Sequence, residues 1–174
     1  MSAIAVGLLL IRLTVGLTFF GHGAQKVLGW WEGPGFQKWT AGIARQRLRP
    51  AVLWAAVGAG NEFVFGPLFA LGLLTPIAAA VLVSQSLYIV VKVHWPRGFW
   101  NTKGGIEFAL QLLSAAIVIV VTGPGAISLD ALLGLSFAPE LRIALFAVGV
   151  IGALGAVAIA RAVEPVPPGP AKAA

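Results

Sequence analysis

The sequence predicts an all-α integral membrane protein built on five hydrophobic runs, and three observations carry that prediction. Of the 174 residues 59% are hydrophobic, and apolar stretches of membrane-spanning length recur along the whole chain. Only 10% of residues are charged, against about 25% in an ordinary soluble domain. The charges that exist are gathered between the apolar runs, where basic residues set membrane orientation. The net charge of +6 therefore does not argue for a nucleic-acid partner; the partner it implies is a lipid bilayer. With no cysteine, the chain can form no disulfide, hold no cysteine-ligated cluster and do no thiol chemistry.

The first run covers about residues 3–23 and is interrupted only by Arg12. No basic segment precedes it and Arg12 lies inside it, so it reads as a membrane helix rather than a cleaved signal peptide. The segment GPGFQKWTAGIARQRLRP (33–50) follows, with Phe36, Trp39 and Ile43 at helical spacing beside a basic cluster. It reads as a short interfacial helix lying under the bilayer. The second run, about 51–74, contains Glu62 and Pro67, and the third begins after Thr75-Pro76 and continues to about Val93. The fourth extends from about Gly105 to Thr122 and ends at the breaker Gly123-Pro124-Gly125. The fifth, about Leu141 to Ala160, carries Gly149, Gly152 and Gly155 with Ala153 and Ala156, a smooth surface suited to helix packing. The expected organisation is a membrane bundle over 1–140, an additional transmembrane helix over 141–161 and a disordered proline-rich tail over 162–174.

The loops give the orientation. Lys26, Lys38, Arg45, Arg47 and Arg49 lie between the first two runs, Lys92, Arg97 and Lys103 between the third and fourth, and Arg161 and Lys172 after the fifth. With five spans all three basic segments share one side, and four or six spans would break the pattern. The positive-inside rule then puts the C-terminus in the cytoplasm and the N-terminus on the periplasmic side of a bacterial cytoplasmic (inner) membrane. All six tryptophans fall on or near the basic side. That side carries elaborated structure, whereas the other consists mostly of tight turns.

Two polar groups stand out. Arg12 lies about 14 Å into the first run from one side, and Glu62 about 17 Å into the second from the other, at 1.5 Å per residue. Both fall near the middle of a hydrocarbon core about 30 Å thick, so they are expected to form one intramembrane ion pair, as a packing lock or as a functional group. Gly58 and Gly66, one turn either side of Glu62, would clear a close approach for the neighbouring helix. The second group gathers at the basic boundary. His22 and Lys26 share a helical face, Ser84, Tyr88 and Lys92 form an i, i+4, i+8 stripe followed by His94, and Glu107 opens the fourth run one turn before Gln111.

His22, Lys26, Tyr88, Lys92, His94, Glu107 and Gln111 are the candidate ligand-binding residues; snorkelling lysines and interfacial histidines are the bland alternative. Bis-histidine haem or a mononuclear metal on His22, His94 and Glu107 fits poorly, and no HExxH, phosphate loop or Ser-His-Asp spacing is present, so catalytic residues are not assigned. A quinone headgroup or a lipid headgroup fits better. A quinone offers two carbonyl acceptors, which call for His, Lys or Tyr donors and aromatic walls, and it reaches proteins through the lipid.

In order along the chain, Arg12 then GHGAQKV, NEF with GPLFALGLLTPIAAA, GFW then GGIEF, and GPGAISLD resemble the DoxX family of small bacterial membrane proteins. The resemblance covers about residues 8–130. It implies a bundle of four transmembrane helices, to which this chain adds its fifth run. It also implies association with membrane redox systems, including a small subunit of thiosulfate:quinone oxidoreductase. The matching polar residues are Arg12, His22, Lys26, Glu62, Glu107 and Asp130. The expected role is thus that of an accessory subunit among other membrane subunits of a quinone-linked redox complex, not an enzyme alone. The alternatives are a quinone-binding electron-transfer subunit and a small transporter or lipid-binding protein.

Overall fold

The computed structural model describes residues 2–163; residues 164–174, which make up nearly all of the tail expected to be disordered, lie outside them. Within the described residues every regular element is helical. α1 spans Ala3–Val27, opened by the Ser2 hydroxyl, which accepts from the Ala5 amide at 3.2 Å. α2 is Gly35–Arg45, α3 Ala51–Leu71, α4 Thr75–Tyr88, α5 Glu107–Thr122, α6 the single turn Leu129–Leu132, and α7 Pro139–Ala162. α4 runs on through a π-helical segment, Ile89–His94, and a 3₁₀ turn, Trp95–Arg97.

Among the described residues, four helical stretches are long and apolar enough to cross a membrane: Ala3–Val27, Ala51–Leu71, Thr75–Arg97 and Pro139–Ala162. The fourth hydrophobic run becomes α5, whose 16 residues reach only about 24 Å at 1.5 Å per residue. Breakers on both sides keep it short. Gly105 is packed against the backbone of Gly98 and Phe99, and Gly123 ends the helix with φ +80°. Ile4, Leu10 and Leu17 on α1 and Ile143, Val148, Ile151 and Leu154 on α7 are exposed, as expected of helices whose outer faces meet lipid.

α1 packs antiparallel along α3, and glycines set how close the pair comes. A Cβ on Gly16 would lie 2.5 Å from the Gly66 carbonyl oxygen, and one on Gly23 would lie 2.4 Å from the Phe63 amide nitrogen. This register overturns the expected Arg12–Glu62 pair. Gly16 opposite Gly66 puts Arg12 level with Ala70, two turns or about 12 Å along α3 from Glu62. Side chains also lean toward their own helix N-terminus, so in an antiparallel pair these two lean apart. Arg12, fully buried, donates to the Ala70 carbonyl at 3.4 Å and to the Ile127 carbonyl, and the nearby anion is Asp130.

Asp130 organises that end of the molecule. Its two carboxylate oxygens accept from the Leu74 and Thr75 amides at 2.7 and 2.9 Å, and its own amide donates to the Gly72 carbonyl at 2.8 Å. It supplies from a distant loop the cap that the start of α4 lacks, because Leu74 has φ +48° and no capping side chain. Between the two polar ends lies an apolar core of Val15, Phe19, Phe69, Ala79, Leu82, Ala116 and Ile119.

α7 docks along α4, where Gly149 lets the helices meet so closely that a Cβ would lie 2.6 Å from the Ala80 carbonyl oxygen. α2 is the short helix expected between the first two spans. Its apolar face turns onto the bundle: Ile43 is buried with Leu48, Ala55 and Ala160, and the Trp39 indole N–H donates to the Ala55 carbonyl at 3.1 Å. Lys38, Arg45, Arg47 and Arg49 stay outside.

Candidate functional site

α2 roofs a cavity of about 740 Å³ walled by α1, α3, α4, α5 and α7. Its walls are largely apolar and aromatic, with Phe19, Trp39, Trp54, Val57, Phe108 and Ile159 among them. Small residues of the last helix, Gly152, Ala153, Gly155 and Ala156, leave the space open. The size and lining fall in the range of small-molecule sites, about 300–1,000 Å³.

One hydrogen-bonded polar chain runs along the wall. The Lys26 ammonium contacts both oxygens of Glu62 at 2.5 Å, and the Gln85 amide donates to Glu62 Oε1 at 3.0 Å. Asn61 in turn donates to Gln85 Oε1 at 3.3 Å. Lys26 also sits 4.8 Å from the centroid of the Trp39 ring, a cation–π arrangement. Glu62 is nearly sealed, its side chain only 2% exposed, and Lys26 is 18% exposed. Gly23, one turn before Lys26, brings α1 against the backbone at Glu62 and Phe63 and so makes the pairing possible. Glu62 therefore belongs to the site and not to a lock with Arg12.

Of the seven candidate ligand-binding residues, His22, Lys26, Tyr88 and His94 line this cavity; Lys92, Glu107 and Gln111 do not. The expected stripe Ser84–Tyr88–Lys92 breaks at the π-helical segment, where the spacing stretches to five, so Val93 follows Tyr88 into the wall and Lys92 turns off it. On α5 the inward positions are Phe108, Ala109 and Leu112, and Glu107 and Gln111 sit on the adjoining flank. Glu107 instead accepts from the Asn101 amide at 3.0 Å and ties down the loop before α5. His94 holds that loop as well. Its Nδ1 meets the Gly104 carbonyl oxygen at 2.6 Å, and since a carbonyl only accepts, Nδ1 carries the proton. Sequence reasoning passes over Asn61 and Gln85. They flank Glu62 and Ser84, and their signal is a carboxamide in each of two apolar runs at similar depth. Among the described residues no three His, Cys, Asp or Glu side chains come together to hold a metal ion.

Residues 7–95 match the DoxX family. The chain is also 32% identical over 131 residues to the uncharacterized membrane protein Rv3486 of Mycobacterium tuberculosis, covering 69% of this chain and 77% of that one. The chain belongs to the DoxX family. No solved structure matches it. The DoxX match takes in α1 to α4 and with them the whole polar chain Lys26–Glu62–Gln85–Asn61, as well as His22, Tyr88 and His94. It stops short of the 8–130 covered by the sequence motifs, so α5, Asp130 and α7 lie beyond it.

Proposed function

We propose that this DoxX protein is an accessory membrane subunit of a quinone-linked redox complex and that it holds a quinone-type headgroup beside Lys26 and Glu62. The observation carrying this reading is the cavity: apolar and aromatic walls around a single hydrogen-bonded polar chain. A bound quinone would supply reversible electron and proton uptake; the chain's own residues bind and orient it. Lys26, Asn61 and Gln85 present N–H donors to carbonyl oxygens, and Trp39, Trp54 and Phe108 pack on the ring.

A purely scaffolding role drew its support from the small-residue face of the last helix, and Gly149 against Ala80 spends part of that face inside the chain. A small transporter or lipid-binding protein calls for a polar path from Glu62 to the basic boundary, and Lys26 supplies its first link; on the other side of Glu62, Phe19, Phe69 and Leu82 belong to an apolar core. The orientation follows from the basic segments, since Arg45–Arg49, Arg97–Lys103 and Arg161 all lie at the cavity end. We place that end in the cytoplasm, and the N-terminus outside the inner membrane. In this cysteine-free chain, a cysteine at Arg47 should react with a membrane-impermeant maleimide only after cells are opened. Labelling in intact cells would reverse the orientation.

The binding test uses a short-tailed ubiquinone analogue in detergent, read by quenching of the wall tryptophans. A Cβ on Gly152 would lie 3.9 Å from the Ser84 hydroxyl, an ordinary contact with another wall residue, so Gly152→Leu fills cavity space without a backbone clash. It should weaken binding by about tenfold or more, on the order of 1.4 kcal/mol. Glu107→Gln, outside the wall, should leave binding unchanged. Equal affinity in wild type and Gly152→Leu would rule the cavity out as the site.

A further inference from the structure

The cavity wall has an electrostatic composition that narrows what it accepts. Among its lining residues there is one carboxylate, Glu62, and one ammonium, Lys26, and they are joined to each other; its histidines are His22 and His94. The pair is satisfied internally: both Glu62 oxygens take Lys26, and Gln85 adds a third donor. The chain still has donors to offer: an ammonium has three N–H bonds and a carboxamide two, so Lys26, Asn61 and Gln85 each carry N–H beyond those directed at Glu62 and Gln85. Its one acceptor that carries a charge is Glu62, already bound to Lys26 and Gln85.

We infer that the Lys26–Glu62 pair is the specificity-determining element of the cavity, and that it selects uncharged lipophiles bearing acceptor oxygens (ketones, quinones, esters) over anionic ones such as fatty acids. An anionic head taking the same N–H bonds would sit beside the Glu62 carboxylate and be repelled by it, and drawing Lys26 to the ligand would leave a carboxylate 2% exposed without its counter-ion. A cationic head would strip Glu62 from Lys26 in the same way. A neutral acceptor takes the spare N–H bonds and leaves the pair intact. Lys26 also meets the Trp39 ring, and the lining offers it no second carboxylate to move to. This inference rests on the reading of the cavity as a ligand site.

The test uses an ω-bromododecanoate and its methyl ester, which share a chain and differ in head charge, at a pH where the acid is ionised. Bromine quenching of the tryptophans is measured in the full-length protein, with Gly152→Leu defining the background from the surrounding detergent. Wild type should bind the ester about tenfold or more tightly than the anion. Glu62→Gln leaves Lys26 without its carboxylate, and the anion should then gain by about tenfold and overtake the ester. Lys26→Met combined with Glu62→Gln removes both charges, and the ester preference should return. Equal wild-type affinity for ester and anion overturns the inference, whether or not the variants fold, and so does a folded Glu62→Gln protein whose preference is unchanged. If neither bromo ligand nor the ubiquinone analogue quenches wild type beyond background, the ligand-site reading itself fails. Quinone binding without charge discrimination removes this inference alone.

Discussion

Asp130→Ala is expected to destabilise the protein by about 3–5 kcal/mol, the cost of stripping one partner from a buried charged cluster. The residue is 1% exposed and sits on the one-turn helix α6, far in sequence from what it holds. Truncation leaves the Leu74 and Thr75 amides without acceptors at the start of α4, and each buried orphan donor costs about 1–3 kcal/mol. It also removes the anion acting on Arg12, which is fully buried and is otherwise held by the Ala70 and Ile127 carbonyls. Asp130→Asn should fall between: the shape is kept, one carbonyl oxygen still accepts, and the charge is gone. Thermal unfolding in mild detergent orders the three proteins. Wild-type stability in Asp130→Ala would show that the loop merely rests on the turn between α3 and α4.

Gly23→Val should also destabilise the protein and should abolish ligand binding. At Gly23 a Cβ would meet Phe63 N at 2.4 Å, Phe63 Cα at 2.6 Å and the Glu62 carbonyl carbon at 2.9 Å, all backbone atoms that cannot rotate away. α1 and α3 must then part, at a cost of about 1–3 kcal/mol or more, and Lys26 moves off Glu62 with them. Two residues earlier, Gly21 has nothing within 4 Å, so Gly21→Ala should be neutral or gain up to about 1 kcal/mol from helix propensity. Opposite outcomes at neighbouring glycines would place the helix contact at Gly23. A well-tolerated Gly23→Val would contradict the close approach on which the site depends.

The hydrophobic runs make the helices legible, because membrane-spanning length is imposed by the solvent and is written in composition. α5 is legible too, Glu107–Thr122 against a run of about Gly105 to Thr122 that ends at the Gly123-Pro124-Gly125 breaker; what no periodicity announces is the packing of Gly105 against Gly98 and Phe99 at its start. The Arg12–Glu62 pair fails because depth counted from run edges is not register. Pairing depends on register, which Gly16 and Gly66 set, and on the opposite lean of side chains in antiparallel helices. Those glycines are visible in the sequence, but which of them face each other is not. At the site, the convergence of His22, Lys26, Tyr88 and His94 can be read from helical spacing. Lys92 is lost to a π-helical segment, and Glu107 and Gln111 to a rotation of about 100° per residue around α5. Trp39 and Ile43 read as membrane-facing, since an apolar helical stripe looks the same whether lipid or protein covers it.

The central claim is that the space beneath α2, beside Lys26 and Glu62, takes up a quinone-type molecule. The most direct measurement is photolabelling in native membranes with an azido-quinone, followed by mapping of the labelled peptides. The account predicts label concentrated on the segments that carry Trp39, Trp54 and Tyr88, and its loss in Gly152→Leu. Label spread over the lipid-facing surfaces of α1 and α7, or undiminished in Gly152→Leu, would contradict it.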